Sequence, residues 1–172
     1  MVHYFPGWNG THALIVSIPI ILLLIAPLFV IVGTVLPSAK GQPFLVWALI
    51  LMILGTVTVF VAAATGEAAM RVLGPSPATQ VALEQHRDLA GTTEELFLML
   101  TLAFAALLFV PRLLGNEFES WVNSALLAAF LVFYATGALF LANTVHHGGH
   151  VVHELGHKAP VTGSGPIKEA RQ

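Results

Sequence analysis

The chain contains no cysteine. That excludes disulfides, iron–sulfur clusters, thiolate zinc sites, CxxCH haem attachment and cysteine nucleophiles. Charge is almost as scarce. Only 9% of the residues are Asp, Glu, Lys or Arg, against about 25% in an average soluble domain. Seven Lys and Arg face nine Asp and Glu, a net charge of -2. No basic patch is left to grip a phosphate backbone, so nucleic-acid binding is excluded as a function class.

Apolar sequence fills the space left by charge. The 172 residues, one domain's worth, are 56% hydrophobic, with a mean hydropathy of +0.83. No Asp, Glu, Lys or Arg occurs from Val2 to Ala39, from Gly41 to Gly66, or from Ser120 to His153. Each run exceeds the roughly 20 residues needed to cross a bilayer core. Spans are predicted near 12–36, 43–66 and 121–147, the last helix continuing to about 155. A shorter charge-free run, Leu96 to Pro111, predicts a fourth span over 84–111 with His86, Glu94 and Glu95 on its first turns. The expected fold is an all-α, integral membrane four-helix bundle over residues 1–157. A Gly- and Ser-containing tail follows at 158–172. The first span is read as retained, because its apolar run is longer than that of a cleaved signal.

Four spans put both termini on one side. That side carries Arg71, Arg87, Lys158, Lys168 and Arg171, and the other Lys40 and Arg112. The bias points to a bacterial inner-membrane protein with cytoplasmic termini.

The chemistry collects at the same end. His12 opens the first helix, Glu67 closes the second, His86 opens the third, and His146, His147 and His150 close the fourth. Five of the eight histidines lie between His146 and His157. Ionisable groups at membrane depth are costly and usually face the bundle interior. Haem b needs imidazoles on facing helices and cationic groups at the mouth of an apolar slot. The ligand candidates are His12, His86, His147 and His150, with Arg71 and Arg87 near the mouth. A zinc or other divalent ion would draw on His12, His86, His146, His147, His150, His153 and His157. Ser17, Thr58, Thr65, Thr136 and Asn143 are candidate hydrogen-bond partners. Glu67, Glu94 and Glu95 are candidate proton acceptors or ion-pair partners of the arginines.

His153-Glu154-Leu155-Gly156-His157 matches H-E-x-x-H, in which two histidines hold zinc and the glutamate is the general base. A peptidase also needs a third ligand. No histidine follows His157, and the only later acid is Glu169. Metal binding without catalysis is the simpler expectation for this segment.

The stretch His12-Ala13-Leu14-Ile15-Val16-Ser17-Ile18-Pro19 resembles the H-P-x-x-V-H-F-P opening of the DUF2231 family of bacterial four-helix membrane proteins. Ala64-Thr65-Gly66-Glu67 is similar to that family's T-G step, and Thr136-Gly137 with His147-Gly148 to its T-G-W-x-G-G…H-G ending. Ala13, Ser17 and Phe140-Leu141 depart from the pattern. The resemblance covers most of residues 12–150. It implies that His12, His86 and His147 are the family-type histidines. It also implies a layout similar to small b-type cytochromes.

Together these readings predict a haem b electron-transfer protein. It would be a small subunit of a respiratory or photosynthetic complex, with a redox protein or quinone as partner. The alternatives are a zinc protein or metallopeptidase using His153, Glu154 and His157, and a structural subunit without cofactor.

Overall fold

The computed structural model describes residues 8–73, 77–115 and 118–150. They form four helices: α1 (Trp8–Val35), α2 (Ser38–Leu73), α3 (Pro77–Leu113) and α4 (Ser120–His150). All four are long and apolar enough to cross a membrane. The 28 residues of α1 rise roughly 42 Å at 1.5 Å per residue, more than the ~30 Å hydrocarbon core. The outer faces are apolar too. Leu14, Met99, Val132 and Leu139 are each about two-thirds exposed or more, a surface that suits lipid and not water.

α2 and α3 extend past the predicted limits at both ends and α1 and α4 at their starts, while 151–155 of the predicted fourth helix lie outside the described residues. Only Leu36 and Pro37 separate α1 from α2. The amides of Lys40 and Gly41 both donate to the Pro37 carbonyl, which starts α2 well before Pro43. Pro43 then sits inside the helix. Its missing N–H leaves the carbonyl of Ala39 without the usual helical donor, a small cost because that residue is exposed. At the far end, Glu67 and Arg71 form an i,i+4 pair, and α2 continues to Leu73. Pro77 is the first residue of α3, the position where a missing N–H costs nothing.

The helices pack as a square. α1 lies on α2, α2 on α3, α3 on α4 and α4 on α1, while the diagonal pairs make no backbone approach. The buried seams follow alternating steps of three and four, the coiled-coil pattern. In α1 the seam is Pro19, Leu23, Ala26 and Val30, and in α3 it is Thr93, Phe97, Leu100 and Phe104. In α2 it is Leu45, Ala48, Met52, Gly55, Val59 and Ala62, and in α4 Leu127, Phe130, Tyr134, Gly137, Leu141 and Thr144.

The two hairpins differ in closeness. Small residues bring α1 and α2 together, with Leu23 against Gly55 and Leu45 against Gly33; this is how membrane helices gain dispersion contact. Between α3 and α4 stand aromatic rings. Phe104 stacks on Phe130 at 4.8 Å, and Phe97 meets Tyr134 edge-on at 5.6 Å.

Hydroxyl groups inside the bundle are paired. Pro27 lies within α1 and cannot donate to the Leu23 carbonyl one turn back. The Tyr134 hydroxyl donates to that carbonyl instead, at 2.7 Å across the bundle. Thr56 and Thr101 share a hydrogen bond of 2.8 Å between α2 and α3, and Thr93 and Thr144 another of 2.8 Å between α3 and α4.

Candidate functional site

The histidine end of the bundle is the continuation of the four seams. One more heptad step from Pro19 reaches His12, and from Thr93 it reaches His86. One step from Ala62 reaches Gly66, and from Thr144 it reaches Gly148. The last core layer therefore holds two imidazoles on one diagonal and two glycines on the other.

The rings use the glycines as floors. A Cβ on Gly66 would lie 3.0 Å from Cε1 of His12 and 3.5 Å from both ring nitrogens. A Cβ on Gly148 would lie 2.9 Å from Cε1 of His86 and 3.5 Å from both of its nitrogens. No other side chain comes as near to either glycine. Each histidine thus lies across the helix that completes its own hairpin.

The polar partners of the two rings differ. Nδ1 of His12 is 3.2 Å from the Thr65 hydroxyl, which itself donates to the Ala62 carbonyl at 2.8 Å. His12 also lies against that carbonyl. His86 lies against the Thr144 carbonyl, but its Nδ1 is buried without a partner. A buried lone pair or N–H in that state costs free energy. It is also an atom ready for a ligand. His86 is within electrostatic reach of both His12 and His147.

Burial lowers the pKa of His12 below the ordinary imidazole value, and contact with the Ala62 carbonyl offsets this only in part. The unfolded chain then binds a proton that the folded chain refuses. Stability therefore falls as the pH drops below about 6.5. Thermal unfolding of the haem-free protein in detergent at pH 7.5 and at pH 5 is expected to show a lower Tm at pH 5, and a smaller drop in haem-free His12→Gln. An equal drop in both proteins would remove His12 as the cause.

The remaining predicted residues are placed as follows. His147 is half-buried; its Nδ1 is 3.0 Å from the Asn143 carbonyl of its own helix, to which it donates. His146 is exposed, with its ring 5.9 Å from that of His147. His150 closes α4. His153, Glu154 and His157 lie outside the described residues, as does the tail. Among the described residues no three His, Asp or Glu side chains gather as a metal site. The reason is geometric: His146 faces out, His147 bonds back to its own helix, and His12 and His86 stand on diagonal helices.

Of the expected hydrogen-bond partners, Thr65 reaches a histidine. Ser17 and Thr136 are exposed, and Thr58 bonds its own helix. Asn143 contributes its main-chain carbonyl to His147. Sequence reasoning missed Thr93 and Thr144, and it noted Gly66 and Gly148 only as parts of motifs and not as the positions the imidazoles lie on. The signal was available, since all four continue the seams.

Glu67 joins the two arginines. Arg87 donates to it at 2.9 Å, and Arg71 lies 3.8 Å away. With Met70, Gln80, Leu83 and Glu84 these residues line a cleft of about 260 Å³ between α2 and α3. Arg71 and Arg87 are largely exposed, so the pairs contribute at most about 1 kcal/mol. Arg87 is held by Glu67, and Arg71 lies on the edge of the same cleft.

Comparison with family models, with curated proteins and with solved structures returns no match for this chain.

A haem can be tested against these residues. The donors present are two imidazoles on diagonal helices, and among the described residues Nδ1 of His86 has no hydrogen-bond partner. The two flanking positions are glycine, with no side chain to contest the layer. The cleft at Glu67 is lined by no histidine.

Proposed function

We propose that this chain is a membrane haem b protein that carries electrons as a subunit of a larger bilayer complex. The observation that carries the reading is the terminal core layer. Two histidines occupy seam positions that an apolar bundle would give to Leu or Val. Two glycines occupy the others. An imidazole in such a place costs desolvation, and a ligand on its ring nitrogen offsets that cost. The resemblance of residues 12–150 to the DUF2231 layout supports the same reading.

When bound, haem b supplies a reversible one-electron couple between a reduced donor, such as a quinol or redox protein, and an oxidised acceptor. The chain's residues do the rest. Two of the candidates His12, His86, His147 and His150 would hold the group. Thr65 fixes the His12 ring through its hydroxyl, and so sets the basicity of the other nitrogen. Arg71 and Arg87 offer cations for propionates at the membrane surface. The apolar seams beneath keep water away and hold the potential up by burial.

The test is composition. Protein purified in mild detergent from haem-sufficient cells is extracted for haem and assayed for zinc on the same sample. One haem per chain, with zinc at trace level, is expected. Stoichiometric zinc without haem would overturn the reading and move attention to His153, Glu154 and His157.

A further inference from the structure

The central seam positions of the two hairpins correspond, although buried Gly33, Gly41, Leu49 and Thr56 of the first hairpin have partly or fully exposed equivalents in the second. A single constant shift takes His12, Pro19, Leu23, Ala26 and Val30 onto His86, Thr93, Phe97, Leu100 and Phe104. Four of the five pairs are buried in both copies, and the fifth, the histidines, is half-buried in both. A second constant shift takes all six buried α2 seam residues, Leu45 to Ala62, onto all six of α4, Leu127 to Thr144. The same shift carries Gly55 onto Gly137 and Gly66 onto Gly148. The contacts follow the shift as well. Gly55 meets Leu22 and Leu23, and Gly137 meets their equivalents Leu96 and Phe97, with Leu100, where the first hairpin has the smaller Ala26, nearest at 2.8 Å. His12 lies on Gly66 beside the Ala62 carbonyl, and His86 on Gly148 beside the Thr144 carbonyl. The second shift is the larger because α3 and α4 have the longer connection.

We infer that the chain is one helical hairpin used twice about a pseudo-two-fold axis along the bundle, and that each copy gives one imidazole, His12 or His86, to a single central iron. This rests on the haem reading above and narrows its ligands from four histidines to two. A square of helices with this repeat places α1 and α3 on one diagonal, with the axis between them. Two equivalent side chains at one level can then reach a group on the axis from opposite sides, as six-coordinate iron requires.

The correspondence also gives His147 its role. Its equivalent in the first hairpin is Thr65, which bonds the His12 ring. His147 instead donates to Asn143 and leaves Nδ1 of His86 without a partner. His147 thus stands where the first copy keeps a positioning residue, and not where it keeps a ligand.

The experiment compares the wild-type protein with His12→Gly, His86→Gly and His147→Gly. Each is purified in the presence and absence of millimolar imidazole, and read for haem content, ferric spin state by electron paramagnetic resonance, and helicity. We expect His12→Gly and His86→Gly to lose haem or turn high-spin. Free imidazole restores a low-spin spectrum in both, because the glycine leaves a ring-shaped space. His147→Gly stays low-spin and keeps its haem, with at most a shifted potential. Retention of low-spin haem by either His12→Gly or His86→Gly overturns the inference while leaving the haem reading intact. Loss in His147→Gly with rescue by imidazole also overturns it. A helical wild-type protein without haem overturns both. A variant that is not helical is replaced by the Gln substitution at the same position and scored by the same spectra.

Discussion

Gly41→Ala is expected to destabilise the bundle more than any other single methyl addition in α2. A Cβ at that position would stand 2.2 Å from the Gly33 carbonyl oxygen, 3.1 Å from its carbon and 3.2 Å from the Leu36 oxygen. All three atoms are backbone, so no side chain can rotate away. The two helices must part at their tightest point. Overpacking of this kind costs about 1–3 kcal/mol and sometimes more. For a chain of this size that corresponds to a Tm loss of roughly 6–12 °C at the upper value. Gly91→Ala is the matched control. Nothing lies within 4 Å of the Cβ it would add, and Ala is the better helix former by about 0.8–1 kcal/mol. Thermal unfolding of both variants in the same detergent checks the pair. Equal Tm values would show that α1 and α2 are not in the close contact described.

The second large effect is expected at Tyr134, and it depends on a proline in another helix. Tyr134→Phe removes the donor to the Leu23 carbonyl. Pro27 cannot replace it. The carbonyl is then buried and unpaired, a cost of about 1–3 kcal/mol that rises where no water can enter. The control is the double variant. With Pro27→Ala in place, residue 27 supplies the helical N–H that Leu23 lacks, and the further change Tyr134→Phe is expected to cost much less. A double-mutant cycle on unfolding free energies isolates the coupling. Additive effects would mean that the hydroxyl serves some other group.

The helices were legible in this sequence because charge-free runs longer than a bilayer leave few alternatives. Their limits were less legible. The second span is predicted to begin at Pro43, yet a proline near a helix start costs little when the residue whose carbonyl it frees is exposed, as Ala39 is. The site was legible in composition and not in geometry. His12, His86 and the α4 histidines were placed at one end by topology alone. That His146 points outward and His147 turns back to Asn143 depends on the rotation of α4, which a helix that is apolar all round does not reveal. Gly66 and Gly148 were visible as letters, but their use as floors for two imidazoles follows only from the seam that runs down each helix. The repeated hairpin was hidden because its copies share burial and not identity: Val30 and Ala48 in one hairpin stand where Phe104 and Phe130 stand in the other.

The most direct test of the account is the optical difference spectrum of the purified wild-type protein, dithionite-reduced minus air-oxidised, repeated under carbon monoxide. Two imidazoles on one iron predict a sharp reduced α band, full reversibility on re-oxidation, and no change under carbon monoxide, because both axial positions are filled. A spectrum without a Soret band, or a reduced form that binds carbon monoxide at once, would contradict it.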